Sequence, residues 1–235
     1  MNKRRERRIL TLSEIQPSSG SPVRFTSSHV CVGYVLTTRT GYDLGKWPFN
    51  SEPPLPDLWK EGFLTPTRLF YVRNHGVVPR VTREEGANWS FEISGLVDNP
   101  CTLTLSDLID PRKFQTVTLP VTLVCAGNRR KEQNVVKKSL GFSWGPAGLS
   151  TALFTGVYLA DVLEYARPRN VGVIGQKGFR RAEHVIFEGA EDLPNGKYGT
   201  SQRLRWARMK EKGMMLAWAM NGEVSSRSCV SFTLQ

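Results

Sequence analysis

The run at residues 114–125, "FQTVTLPVTLVC", constrains the fold more than any other stretch. It is dominated by threonine, valine and leucine, and side chains branched at Cβ favour an extended, pleated backbone over a helix. Pro120 stands near its middle and removes one backbone donor. The run therefore makes one strand, or two short ones, and either way delivers Cys125 to a strand end.

Other segments read in the same way. In "WSFEISGLV" (89–97) Phe91 and Ile93 alternate with Glu92 and Ser94, the pattern of a half-buried strand. "TRLFYVRNHG" (67–76) has a β-prone centre at 69–72 and ends in a polar turn. "NPCTLTLSDLID" (99–110) predicts a turn, a strand and a helix capped at Ser106. "WPFNSEPPLPDL" (47–58) predicts extended chain leading into a short helix near 56–62. In "YLADVLEYA" (158–166) Leu159, Val162, Leu163 and Ala166 recur at helical spacing. "HVIFEG" (184–189) is strand-like, and "MMLAWAMNGEV" (214–224) is a strand ending in an Asn221-Gly222 turn, with a return strand expected beyond it. Strands and helices mix without regular alternation, so the fold class is α+β rather than doubly wound α/β.

With 235 residues, 40% of them hydrophobic and 23% charged, the chain can bury a substantial core. Its net charge is +11, which favours anionic partners. Charge alone does not make a nucleic-acid binder, and no helix-turn-helix or RNA-binding signature accompanies it, so no nucleic acid is expected. No apolar run reaches the length of a membrane span, so no membrane is expected either. The start, "MNKRRERRIL", lacks the apolar core of a secretion signal and reads as a solvated basic tail. The four cysteines, Cys31, Cys101, Cys125 and Cys229, form no CxxC pair. A reducing, cytoplasmic setting is expected.

Cys125 opens the stretch "CAGNRRKEQN". Arg129, Arg130, Lys131, Lys137 and Lys138 follow closely, opposed only by Glu132. Cations near a thiol favour thiolate. A thiolate serves as nucleophile or as soft-metal ligand. A nucleophile needs a base, and His29, His75 and His184 are the only histidines. The residues by themselves leave three readings open: nucleophile, metal ligand, or a buried structural cysteine beside a solvated basic face.

"CAGNRRKEQN" resembles the signature of the sulfite oxidase/nitrate reductase family of molybdenum enzymes. "FNSEPPL", "LFYVRNHG", "FEISGLVDNP", "SLGFSWGPAGLST", "GVYLADVLEYA", "HVIFEGAEDLP", "KYGTS" and "LAWAMNGE" fall in the order that family shows. The resemblance covers residues 47 to 223. "KEQN" and "FNSEPP" are most similar to the eukaryotic assimilatory nitrate reductase branch, in its fungal form, and disfavour a sulfite oxidase-like enzyme.

The resemblance implies a mixed-sheet, sulfite-oxidase-type molybdopterin-binding domain over 47–224. It implies a poorly defined extension over 1–46 and a divergent tail over 225–235. It implies Mo-molybdopterin as cofactor, with Cys125 as the single protein ligand to the metal. Arg73 matches the family arginine facing the substrate anion, at the cofactor, and Arg130 a second arginine of that pocket. Trp144 matches an aromatic wall, His75 a residue at the pterin, and Asp192 in "GAEDLP" a further pterin contact. The implied chemistry is oxygen-atom transfer reducing nitrate, or a similar oxyanion, to nitrite.

The pattern departs from the family after "MNGE". There the family continues with a segment like D-H-G-[FY]-P-V-R, whose histidine and arginine help hold the cofactor, whereas this chain reads "VSSRSCVSFTLQ". On this reading the domain is incomplete at its C-terminal end, and a non-catalytic truncated remnant is the rival to an enzyme. The family's homodimerisation domain and the haem and FAD domains of a whole nitrate reductase are likewise expected outside this chain.

Overall fold

A computed structural model of the chain describes residues 22–27, 42–45, 49–74, 82–169, 182–189, 196–224 and 231–233. In chain order its strands are β1 (Val23–Ser27), β2 (Tyr42–Gly45), β3 (Asn50–Glu52), β4 (Ser90–Gly95), β5 (Cys101–Thr104), β6 (Thr116–Val124), β7 (Leu149–Tyr158), β8 (His184–Glu188), β9 (Gly199–Arg203), β10 (Met215–Met220), β11 (Glu223–Val224) and β12 (Ser231–Thr233). The helices are α1 (Leu55–Glu61), α2 (Arg83–Ala87), α3 (Leu105–Ile109), α4 (Arg130–Val136), α5 (Leu159–Ala166) and α6 (Leu204–Ala207). Among the described residues no helix is long and apolar enough to cross a membrane.

Two five-stranded sheets organise these elements. The first runs β5-β4-β1-β8-β9 and is mixed, because β1 pairs antiparallel with β4 and parallel with β8. The expected α+β class with a mixed sheet is the one found. Its middle strand comes from ahead of residue 47, where Val23 and Phe25 alternate with Arg24 and Thr26 and are fully buried. The second sheet runs β11-β10-β7-β6, with β12 also on β10, and is antiparallel throughout. β6 is a single strand at its edge. An edge strand tolerates Pro120, since one side of its backbone needs no ladder partner.

β10 is buried along its whole length and faces two cores. Leu216 and Trp218 join the larger one with Phe25, Phe91, Ile93 and Leu163. Met215 and Ala217 join a smaller one with Phe70, Val121, Ala152 and Phe154. A register shift between Ala217 and Ala219 then changes the parity, so that Ala219 follows Trp218 into the larger core and Met220 faces the smaller. β7 and β10 approach closely here: a Cβ on Gly156 would lie 2.0 Å from the Leu216 carbonyl oxygen.

Two local expectations change. The β-prone centre at 69–72 forms a 3₁₀ turn over Thr67–Leu69 followed by one β-bridge, between Val72 and Ser51. Pro66, with φ of −64°, starts that turn before a strand can form. The cap of α3 is Thr104 rather than Ser106. The Thr104 hydroxyl accepts from the Asp107 amide at 3.1 Å, and the Asp107 carboxylate accepts from the Thr104 amide at 2.8 Å, a reciprocal capping box. The other predicted elements stand where expected: β4, β5, α1, α5, β8, and β10 with its Asn221-Gly222 turn; the return strand already begins at Glu223–Val224, and β12, in the stretch where it was expected, also pairs with β10.

Candidate functional site

The smaller core supports the site. β6 and β7 rise from it as a continuous ladder ending at Val124 and Leu149, and the Cys125 amide extends the ladder by donating to the Gly148 carbonyl at 2.9 Å. Cys125 therefore does stand at a strand end, half-buried. The chain then turns tightly. Asn128 N–H returns to the Cys125 carbonyl at 2.8 Å, and Gly127 N–H points at the Cys125 Sγ at 3.4 Å. Gly127 admits no side chain, because a Cβ there would lie 2.8 Å from Trp144 Cδ1 and 3.3 Å from Arg130 Nη2. One glycine thus touches the sulfur, the indole and the guanidinium together.

The cation burst separates into different roles. Arg129 adopts a left-handed backbone, φ 65°, to start α4, and its side chain pairs in solvent with Glu132 at 2.7 Å. That pair holds the Glu132 carboxyl below its usual range. Lys131, Lys137 and Lys138 are exposed. Arg130 alone turns inward, donating to the Leu140 carbonyl beneath Gly127 and Gly141. The loop closes back on the segment before β7, where Arg129 N–H donates to Gly145 at 2.8 Å and Lys131 N–H to Trp144 at 2.9 Å.

The opposite wall comes from residues 70–74. Tyr71 N–H donates to Ser150 Oγ at 3.2 Å, which fixes this stretch to β7. Extended chain places alternate residues on one face, so Tyr71 and Arg73 look the same way. The Tyr71 ring meets buried Trp144. Burial pushes the Tyr71 phenol up beyond the ordinary tyrosine range; the nearby Cys125 sulfur adds to this and the Arg73 guanidinium opposes it. Arg73 Nη1 donates to the Asn74 carbonyl and to Asn50 Oδ1, the latter at 3.4 Å, and its guanidinium lies 6.0 Å from the Phe142 ring centre.

The structure thus brings Cys125, Arg73, Arg130 and Trp144 to one place, and adds Tyr71 and Phe142. His75 and Asp192 lie outside the described residues. The alternation in "FYVR" is the signal that reaches Tyr71 from Arg73; nothing in the sequence singles out Phe142. Cys101, the other described cysteine, packs against the larger core, where burial and then Asp107 raise its thiol. No group of three or more His, Cys, Asp or Glu is placed to hold a metal among the described residues. A half-open cleft of about 600 Å³ elsewhere, on β8, β9 and α6, holds His184, Arg203, Arg205 and Arg208 but offers no thiol.

The family model for the oxidoreductase molybdopterin binding domain matches residues 75–227, a range that includes Cys125, Arg130 and Trp144 and begins just after Tyr71 and Arg73. The chain belongs to that family. Its relatives agree with this membership. It is 59% identical over 189 residues to a nitrate reductase [NADPH] of Mycosarcoma maydis, covering 76% of this chain and 18% of that protein. It is 57% identical over 179 residues to a nitrate reductase [NADPH] of Leptosphaeria maculans, covering 76% of this chain and 19% of that one. The chain therefore spans less than a fifth of the length of these relatives. Among solved structures, the sulfane dehydrogenase SoxCD from Paracoccus pantotrophus matches with a TM-score of 0.57 at 20% identity, covering 79% of this chain and 42% of that one. That likeness concerns the fold alone, a mixed-sheet α+β arrangement of the sulfite-oxidase type; the family membership rests on the match over residues 75–227.

Proposed function

We propose that this chain is the molybdenum-cofactor domain of a fungal-type assimilatory nitrate reductase, and that it reduces nitrate to nitrite. One observation carries the reading: the half-buried Cys125 thiol shares Gly127 with Trp144 and inward-turned Arg130, opposite Tyr71 and Arg73. These residues fit a sulfur-bound metal with an anionic carrier. The sulfur is a soft donor with a backbone N–H on it, and the surrounding charge is positive. When bound, the cofactor supplies two-electron oxygen-atom transfer.

The chain's own residues do the rest. Cys125 tethers the metal as the single protein thiolate. Arg73 and Arg130 attract and orient the planar oxyanion, because guanidinium stays charged and donates in a plane. Trp144 and Phe142 close the pocket to bulk water and so strengthen those charge contacts. Tyr71, held as a neutral phenol, puts no second negative charge beside the thiolate or the substrate. His75 and Asp192 complete the reading as pterin contacts. Electrons are supplied from haem and flavin domains, in the cytoplasm, within a homodimer.

Expression in a host that makes molybdopterin tests the reading. Molybdenum is measured per polypeptide in the chain and in Cys125→Ala. Stoichiometric metal that disappears in the variant supports the tether. Absence of metal from both overturns it in favour of a non-catalytic remnant. Nitrate reduction with an artificial electron donor then separates binding from turnover.

A further inference from the structure

β3 is three residues long, and its residues tie together both walls of the pocket. Asn50, fully buried, accepts from the Asn74 amide at 2.8 Å and from Arg73 Nη1 at 3.4 Å through its Oδ1. Ser51 exchanges both backbone bonds with Val72, at 3.0 and 2.8 Å. Glu52 accepts the Gly145 amide at 2.7 Å through its Oε1. Thus β3 binds the Arg73 wall at one end and the Trp144 wall at the other. Asn50 and Glu52 are two apart on a strand and project to the same face, so about 7 Å of strand separates the two attachments. A strand backbone is stiff, which makes that separation a fixed dimension.

Glu52 has a second unusual property. It is more than nine-tenths buried, and its Oε2 has no hydrogen-bond partner among the described residues. Burying an unpaired carboxylate oxygen is costly, and native folds keep few such atoms.

We propose that Asn50 and Glu52 are positioning residues that set the gap between Arg73 and Trp144, and thereby the size of oxyanion the pocket accepts. The function in this statement rests on the nitrate reading above; the clasp itself does not. Neither side chain touches substrate. Asn50 acts through Arg73, and Glu52 through the Trp144–Gly145 backbone.

Hydrogen exchange on the cofactor-free chain tests the clasp directly. Peptides covering 71–74 and 143–148 are followed, with the β10 peptide as internal reference for global folding. In Glu52→Ala the Gly145 amide is expected to exchange about tenfold faster while β10 is unchanged, the loss of one buried bond. Glu52→Gln keeps an acceptor and is expected to keep protection. Asn50→Ala is expected to release the 71–74 peptide and leave 143–148 protected. Unchanged exchange at Gly145 in Glu52→Ala overturns the clasp, and so does equal loss of protection in Glu52→Gln. Should Glu52→Ala not fold, Glu52→Gln decides alone, by keeping or losing the protection.

The second readout uses the loaded chain and an artificial donor. Glu52→Ala is expected to raise the nitrate KM about tenfold with kcat changed far less, as for lost uniform binding, and Glu52→Gln to restore it. A parallel fall in kcat and molybdenum content, without a KM change, overturns the positioning role. Exchange that follows the expected pattern in a loaded chain that does not reduce nitrate leaves the clasp standing and removes the nitrate reading.

Discussion

Tyr71 meets Trp144 edge to face, with ring centroids 6.0 Å apart and planes at 90°. This contact joins the wall that carries Arg73 to the wall that carries the cation-rich loop. Trp144 is almost fully buried, so Trp144→Ala empties a large volume and is expected to cost about 3–5 kcal/mol of stability. Tyr71→Leu keeps bulk and should cost less. Urea unfolding of both single variants and the double variant is expected to give a coupling of about 1 kcal/mol, since each single change already removes the pair contact. Strict additivity would show that the rings do not depend on each other.

Gly156 sits opposite Ala217 where β7 pairs with β10. Gly156→Ala places a methyl group against the Leu216 carbonyl, at a distance no relaxed structure tolerates. Backbone cannot swing aside as a flexible side chain does. The expected outcome is a loss of about 3 kcal/mol, read as a fall in Tm by circular dichroism.

Asn221 combines two requirements. Its φ of 52° is left-handed, and its side chain both accepts from Leu153 N–H at 3.0 Å and donates to the Thr65 carbonyl at 3.0 Å. Asn221→Gly keeps the backbone but forfeits both bonds, so a loss of about 1–3 kcal/mol is expected. Asn221→Ala forfeits the bonds and adds about 1 kcal/mol of left-handed strain. The order of Tm values should therefore be Asn, then Gly, then Ala.

Asp107 gives the fold an acid limit. The Lys113 ammonium beside it, then the Thr104 amide and hydroxyl, hold its carboxyl down at about 2, below the usual carboxylate range. The folded state thus binds this proton less readily than the unfolded chain. The stabilisation is complete above the unfolded value, near 4, and is lost as pH falls from about 4 to about 2. The stability gap between the chain and Asp107→Asn should be widest above about pH 5 and close through that window, as followed by calorimetry at a series of pH values.

Much of this architecture is legible in local patterns, because period-two burial is printed into β4 and β6 and period-3.6 burial into α5, while β10 reads as a continuous apolar run. β1 escaped notice although Val23 and Phe25 alternate correctly: five residues between polar stretches carry too short a signal. The capping position slipped because Thr104 and Ser106 are both good caps, and only Asp107, three residues after Thr104, distinguishes them. At the site, Cys125, Arg73, Arg130 and Trp144 were reachable through motif resemblance. The divergence of Arg129 and Arg130 was not, since one left-handed residue sends the first outward and the second beneath Gly127. The roles of Asn50 and Glu52 were hidden for a different reason. Their partners lie 24 and 93 residues away, and local pattern holds no information about such pairings.

The ladder between β6 and β7 runs to Val124 and Leu149, and the Cys125–Gly148 bond closes it before the chain departs into residues 126–147. The sheet therefore registers only that the excursion leaves and returns, not what it contains. Closing a longer loop adds little free energy per doubling of length. On the proposed function, the excursion's share of substrate preference can be rewritten by inheritance while the strands beneath stay fixed, so that new chemistry and old stability evolve independently.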